Sequence, residues 1–187
     1  MNPEPYAQCP IYKTKHFLFR MVEPADAKDL LSCYADPLAA PLFNSDTCTS
    51  DFVYHTIQEM QDCINFWLDE FQKKIYMRFS ILDQTTQRAI GTMEWCIKPN
   101  TYEGLGKVAV LRLDLPSVYE NEQTISEILQ MLEENFYEHF DVDSIISKAI
   151  PAAKARIQSF TITGYSKLDP NPVLPYADYY LKTRSFS

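Results

Sequence analysis

The sequence predicts an α/β (α+β) chain built on one mixed, mostly antiparallel sheet of about seven strands, with helices on both faces. Three observations carry this expectation. Residues 108–115 and 144–150 each have the short, β-branched character of a strand. Between them Ile125, Ile128, Leu129, Leu132, Phe136 and Phe140 recur at helical spacing, so strand, crossover helix and strand form a parallel βαβ unit. The strand-like runs 75–82 and 89–98 are joined by a polar turn, as antiparallel neighbours are. In a βαβ unit the helix N-terminus faces the carboxyl end of the first strand, and an anionic cofactor would sit at that end.

The first element is a strand over 16–22, with Phe17, Phe19 and Met21 on one face. Glu23-Pro24 breaks it, and Pro24 suits entry to a helix over 25–35 bearing Ala27, Leu30, Leu31 and Tyr34. Two prolines and a cluster of Asn, Ser, Asp and Thr make 37–52 a loop. Thr56-Ile-Gln-Glu59 reads as a capping box opening a helix that carries Met60, Ile64, Trp67, Leu68 and Phe71. That stripe has core spacing. Strands follow at 75–82 and 89–98 around the polar turn 83–87, and a loop over 99–106 leads to the central strand 108–115, which Pro116 ends. Thr124-Ile-Ser-Glu127 reads as the capping box of the crossover helix. After the strand 144–150, Pro151 is expected to start a helix that stops at Gly164. The tail offers a short strand at 165–168, a proline-punctuated bend over 169–175 and a last strand over 176–184.

With 187 residues, 46% hydrophobic and 13% aromatic, the chain can bury one sizeable core, so a single domain over 1–187 is expected. A net charge of -8 provides no positive field to hold phosphodiesters, which argues against nucleic acid as a partner. Five cysteines without a CxxC pair, and no histidine pair at ligand spacing, argue against a disulfide framework and a metal site, and the thiols read as buried and reduced. Met1-Asn-Pro-Glu-Pro lacks a basic and an apolar leader region, and no run approaches the ~20 apolar residues of a membrane span. A cytoplasmic protein with no membrane partner is the expectation. Walker-type loop, nucleophile elbow and dinucleotide fingerprint are absent, and His16, His55 and His139 fall in different elements.

Phe19-Arg-Met-Val-Glu-Pro-Ala-Asp-Ala-Lys-Asp-Leu30 resembles the opening of the GNAT N-acetyltransferases, in the branch of the ribosomal-protein-alanine acetyltransferases. Ala89-Ile-Gly-Thr92 is similar to that family's third strand, and the βαβ unit resembles its acyl-coenzyme-A-binding half. The resemblance implies a GNAT-like fold and acyl-CoA-dependent transfer, with acetyl-CoA as co-substrate and a small-molecule amine or peptide N-terminus as acceptor. It leaves room for a homodimer. It implies that the pantetheine arm bonds main-chain groups between the central strand and the next parallel strand. Cofactor contacts are then expected from Leu113, Asp114, Leu115, Asn121, Gln123 and Thr124. Glu94, if it points into the cleft, is the candidate catalytic base; the alternative is a glutamate on the wet face of its strand. Arg112 and Asp114 share a face and either pair with each other or line the acceptor pocket.

The chain also departs from the family. Where the family has two glycines to bring backbone amides against pyrophosphate, the loop reads Ser117-Val-Tyr-Glu-Asn-Glu-Gln123. A carboxylate ~5 Å from a phosphate costs on the order of 1 to 3 kcal/mol at effective dielectric constants of roughly 20 to 80. Glu120 and Glu122 therefore either repel the cofactor or occupy the positive end of the helix themselves. On the last helix Ala153 stands at the family's asparagine, and Arg156 and Phe160 stand at its hydroxyl-bearing positions. Two functions follow: a working N-acyltransferase, or a non-catalytic binding or regulatory module that has lost acetyl-CoA binding.

Overall fold

A computed structural model of the chain describes residues 5–98, 102, 104–169, 174 and 176–184. Among them the elements are β1 (Tyr12–Lys13), β2 (Phe17–Met21), α1 (Ala27–Tyr34), α2 (Ile57–Gln72), β3 (Met77–Asp83) and β4 (Arg88–Lys98). β5 (Val108–Asp114), α3 (Glu122–His139), β6 (Ser144–Lys148), α4 (Lys154–Ile162), β7 (Ser166–Lys167) and β8 (Tyr179–Thr183) complete the order. All eight strands join one sheet in the order β1-β2-β3-β4-β5-β6-β8-β7. Only β5 and β6 pair in parallel; every other neighbouring pair is antiparallel.

Alternation along the three central strands decides what each face holds. Met77, Phe79, Met93, Trp95, Leu111 and Leu113 pack under α3 and α4, together with Ile125, Ile128, Leu132 and Phe136. Phe136 lies 4.6 Å from Trp95 and 4.9 Å from Phe140, centroid to centroid. The opposite face meets α1 and α2 through Leu30, Tyr34, Met60, Ile64 and Trp67. Between those helices and the sheet lie Arg78, Ser80, Thr92, Glu94 and Asp114, all buried. An antiparallel sheet commonly leaves such a face to water. Here two helices cover it, so Glu94 does not lie on a wet face: it is 3% exposed.

A close approach between β4 and β5 shapes the end of β5. Gly91 on β4 lies against the Asp114 carbonyl, and a Cβ there would collide with it. The register also shifts between Ile81 and Leu82, opposite Gly91 and Ala89. Pairing of β5 with β6 runs from Val108↔Ser144 to Leu111↔Ser147, while β5 continues to Asp114. The two strands therefore part at their carboxyl ends, and among the described residues the β6-facing edge of 112–114 has no strand partner.

Several boundaries differ from the sequence reading. The sheet has eight strands rather than about seven, because the two-residue β1 is too short to show a period. Thr56 forms the expected capping box, accepting from Glu59 N at 3.2 Å while Glu59 accepts from Thr56 N at 2.8 Å. The box at Thr124 does not form. Asn121 caps α3 instead, its side chain accepting from Thr124 N at 3.0 Å, and Glu127 accepts from His16 N at 2.8 Å. Pro151 lies in a turn rather than opening α4, which begins at Lys154 after Ala153, a residue with no side chain to cap it. Gly164 ends α4 as expected, at φ +84°. Parts of the loop 99–106 and of the bend 169–175 (residues 99–101, 103, 170–173 and 175) lie outside the described residues, as do 1–4 and 185–187.

Candidate functional site

Two rows of polar side chains cross β3, β4 and β5 on the face beneath α1 and α2. In one row Arg78 lies opposite Glu94, and Glu94 opposite Arg112; in the next, Ser80 lies opposite Thr92, and Thr92 opposite Asp114. Cross-strand neighbours are close enough for direct bonding. Arg78, 1% exposed, is ion-paired to Glu94 and donates to Asp114 Oδ2 at 2.9 Å, Thr92 Oγ1 at 2.9 Å and Tyr34 Oη at 3.1 Å. Its guanidinium stacks 4.2 Å over the Trp67 ring. Tyr34, fully buried on α1, donates to Asp114 Oδ2 at 2.8 Å. Burial pushes its phenol well above the ordinary range, with the Asp114 charge adding to the effect, so it remains a neutral donor.

Arg112 takes the other Glu94 oxygen at 3.1 Å, and its remaining contacts reach the loop between α1 and α2. It donates to Asp46 O at 2.6 Å, Thr47 Oγ1 at 3.2 Å and Cys48 Sγ at 3.0 Å. Glu94 therefore holds one arginine with each oxygen, and Asp114 pairs with Arg78 rather than with Arg112. Of the two alternatives for Arg112 and Asp114, Arg112 lines a cavity and Asp114 joins the network behind it.

That cavity, of about 410 Å3, lies between α2, the loop after α1, and β8. Arg78, Glu94 and Arg112 form its polar floor, and Tyr54, Trp67, Tyr76 and Tyr179 are among its aromatic walls. Burial holds the Tyr54, Tyr76 and Tyr179 phenols above their ordinary range, so they too are neutral donors. Cys48, Cys63 and Cys96 also line it, and burial pushes the Cys63 thiol up to about 11, which leaves it protonated at neutral pH. Thr47 (φ 66°) and Phe52 (φ 58°) line the cavity in the left-handed region that β-branched and bulky residues avoid. Such strain persists where the surroundings over-determine the backbone, and it gathers at ligand sites.

The second cluster lies at the carboxyl ends of β5 and β6. Leu113 and Leu115 bury their side chains against α3, leaving only their main chain for a ligand. Asn121 spends its side chain on the cap, Thr124 is buried at the first turn, and Gln123 is exposed. Thus the cofactor candidates gather at one end of the sheet, around the start of α3. No residue from 117 to 123 has a positive φ; Glu120 stands at φ -74° and Asn121 at φ -131°. This path makes no use of glycine. Glu122 is exposed, whereas the Glu120 side chain is 7% exposed and ion-paired to Arg156 of α4. Burial raises the Glu120 carboxyl above its ordinary range, outweighing the Arg156 charge that lowers it.

The sequence reading names Tyr34 only as an apolar position of its helix and Arg156 only as a departure from the family's hydroxyl position, and it does not name Arg78. For Arg78 a signal existed: Met77, Phe79 and Ile81 claim one face of the strand, which sends Arg78 and Ser80 to the face of Thr92 and Glu94. For Arg156 there was none, because its partner lies 36 residues away across a gap between strands.

The strand order, the single parallel pair and its parting ends define the GNAT acetyltransferase fold. Solved structures that share it include a GNAT-family acetyltransferase from Bacillus anthracis, with TM-score 0.70 and 13% identity over 94% of this chain and 99% of that one. The ribosomal-protein-S5-alanine acetyltransferase of Vibrio fischeri matches with TM-score 0.64 and 12% identity over 94% and 97%. RimL, a ribosomal L7/L12 α-N-protein acetyltransferase in complex with coenzyme A, matches with TM-score 0.71 and 11% identity over 93% and 98%. No family model and no curated protein matches the sequence. At these identities the likeness concerns the fold.

Proposed function

We propose that residues 1–187 form a single GNAT-like, acyl-CoA-dependent N-acyltransferase domain that moves an acetyl group to a primary amine on a protein or peptide N-terminus. The observation that carries this reading is the parting of β5 and β6 after Leu111 and Ser147, beside the cavity floored by Glu94 and Arg112. Open main-chain groups of residues 112–114 would hold the pantetheine arm as a strand partner does, which demands little of side chains. The bound forms of RimL and of Mycobacterium smegmatis RimJ, the latter with CoA-disulfide, support acyl-CoA as the donor class. The names of the ribosomal-protein enzymes support a protein acceptor.

In this reading the neutral acceptor nitrogen attacks the thioester carbonyl carbon, the C–S bond breaks as the tetrahedral adduct collapses, and the proton that the nitrogen gives up ends on the departing sulfur, so that coenzyme A is released as the thiol. Holding the amine against the carbonyl supplies much of the rate. Glu94 is the carboxylate we assign to accepting the ammonium proton. For that, one of its oxygens must exchange the 3.1 Å contact with Arg112 for the amine or a water. Thiol release from acetyl-CoA over a panel of amines and peptide N-termini tests the reading: acceptor-dependent release is expected.

A second reading is favoured by the Glu120–Arg156 pair, which fills the cofactor end of the gap with the chain's own charges. In that case the chain is a binding or regulatory module whose ligand occupies the 410 Å3 cavity without acyl-CoA. Ligand binding without thiol release from acetyl-CoA, whatever the acceptor, would favour it.

A further inference from the structure

The cavity floored by Glu94 and Arg112 is larger and more aromatic than a small acceptor needs. Its volume of about 410 Å3 falls within the ~300–1,000 Å3 of pockets that enclose drug-sized ligands. A methyl or hydroxymethyl group beside the amine would leave most of that space to water. Rings occupy its walls instead. Tyr54 and Trp67 are joined through Tyr34, whose ring centroid lies 5.7 Å from the first and 5.8 Å from the second. Trp67 lies 4.2 Å from the Arg78 guanidinium, which is paired with Glu94. One guanidinium therefore separates the Trp67 ring from the carboxylate assigned to the amine proton, and a group joined to that amine by a short chain reaches the rings.

Sulfur, the rim and the charges each narrow what that group is. Burial pushes the Cys63 and Cys96 thiols up, so both face the cavity as neutral, polarizable groups, and sulfur against an aromatic ring is a favourable contact. At the rim Phe66 and Ile75 are exposed, although the buried stripe of α2 is made by Met60, Ile64 and Trp67 without Phe66. Apolar side chains left in water beside a cavity suit an apolar partner. Among the lining residues Arg78, Lys98 and Arg112 outnumber Glu70 and Glu94. Glu94 is already held by two arginines, and Glu70 is paired with Lys73 at 2.8 Å. A second cationic group on the acceptor would meet like charge there, which disfavours polyamines and peptides beginning with lysine.

We propose that this cavity binds an aryl group carried a short chain away from the acceptor amine, with Tyr76 and Phe66 as specificity-determining residues. A peptide whose first residue is phenylalanine, tyrosine or tryptophan has that chemistry, and so has a free arylalkylamine. The inference rests on the acyl-transfer reading for the reaction at the amine, whereas recognition of the aryl group rests on the cavity alone. The ring stacks or meets edge to face with Trp67 and Tyr54, as aromatic pairs prefer, while the amine points to Glu94. Such a first residue is larger than the alanine in the name of the Vibrio fischeri enzyme.

The test is calorimetric titration of the full chain, with and without saturating coenzyme A. The titrants are Phe-Ala-Ala amide, its cyclohexylalanine analogue, Ala-Ala-Ala amide, Lys-Ala-Ala amide and phenethylamine. The phenylalanine peptide is expected to bind at least about tenfold tighter than the alanine and lysine peptides, and measurably tighter than its saturated analogue. In the double variant Phe66→Ala/Tyr76→Ala the preference for phenylalanine over alanine should shrink severalfold. Equal affinities for the phenylalanine peptide and the alanine or lysine peptide under both conditions would overturn the proposal. So would a cyclohexylalanine peptide that matches it, or a preference left intact in the double variant. If that variant unfolds, the saturated analogue decides with the wild type alone. Phenethylamine binding as tightly as the peptide upholds the site and points to a free amine, whereas a tighter peptide upholds it and points to a protein N-terminus. Aryl-selective binding without thiol release from acetyl-CoA would keep the site and remove the enzyme. Thiol release equally fast with alanine-first and phenylalanine-first peptides, at equal affinity, would keep the enzyme and remove the site.

Discussion

Glu94 stands directly between Arg78 and Arg112 in the strand register and gives one carboxylate oxygen to each. The arrangement joins three strands through one buried carboxylate, and it makes the candidate base a structural group as well. Stability and chemistry at this position are therefore coupled, and they must be measured separately.

Arg78→Met tests the structural half. Removing the guanidinium leaves Glu94 and Asp114 buried with fewer partners, and breaking such a pair from one side costs roughly 3–5 kcal/mol. Urea denaturation should show a loss of that order, whereas a change below about 1 kcal/mol, the scale of an exposed pair, would mean that water reaches the network.

Glu94→Gln tests the chemical half. The amide oxygen still accepts from an arginine, so the fold should persist while a general base is lost. Turnover, where present, should fall by roughly 10²-fold or more, and the limb of the pH-rate profile belonging to the base should vanish. An unchanged profile would remove Glu94 from the mechanism and leave positioning as the source of the rate.

Coenzyme A should bind the wild type weakly, because the Glu120–Arg156 pair fills the cofactor end of the gap with the chain's own charges. A dissociation constant tighter than about 1 μM, equivalent to roughly -8 kcal/mol, would contradict this. Glu122→Gly should change little by comparison, since that side chain is exposed.

Gly91→Ala should displace the end of β5. The new Cβ meets the Asp114 carbonyl inside contact distance, and backbone cannot yield as a side chain does. Overpacking of this kind costs about 1–3 kcal/mol, visible as a lower denaturation midpoint. An unaltered midpoint would mean that β4 and β5 are not held together there.

Acid should weaken the opening of the domain through Asp26. Burial alone would raise its carboxyl, but hydrogen bonds from Arg20 at 2.7 and 2.8 Å and from Ser80 at 2.6 Å, with the Arg20 charge, hold it below the ordinary range. A depressed carboxyl adds stability that is complete above its unfolded value of about 3.9 and is lost as pH falls through the folded value. The wild type should therefore lose stability more steeply below pH ~4 than Asp26→Asn, and parallel acid limbs would show the pair to be inert.

Much of the framework was legible in the chain itself. Alternation in β2, the capping box at Thr56 and the helical spacing of Ile125 to Phe140 are local properties, with periods of two or 3.6 residues and neighbours within a turn. They suffice for the order of elements and for the parallel crossover from β5 to β6. Local rules misjudged the start of α3, because Thr124 and Asn121 both suit a cap and the competition was decided from outside. His16, 111 residues from Glu127, takes the carboxylate that a box at Thr124 would have needed. The partners of Glu94 likewise depended on a register that includes the shift at Ile81. The pairing of Glu120 with Arg156 depended on where α4 comes to rest across the gap between two strands. Charges separated by 16 to 36 residues meet only after the sheet has closed, and a buried charge then takes whatever partner the packing brings within reach, because remaining unpaired costs more than any local preference is worth.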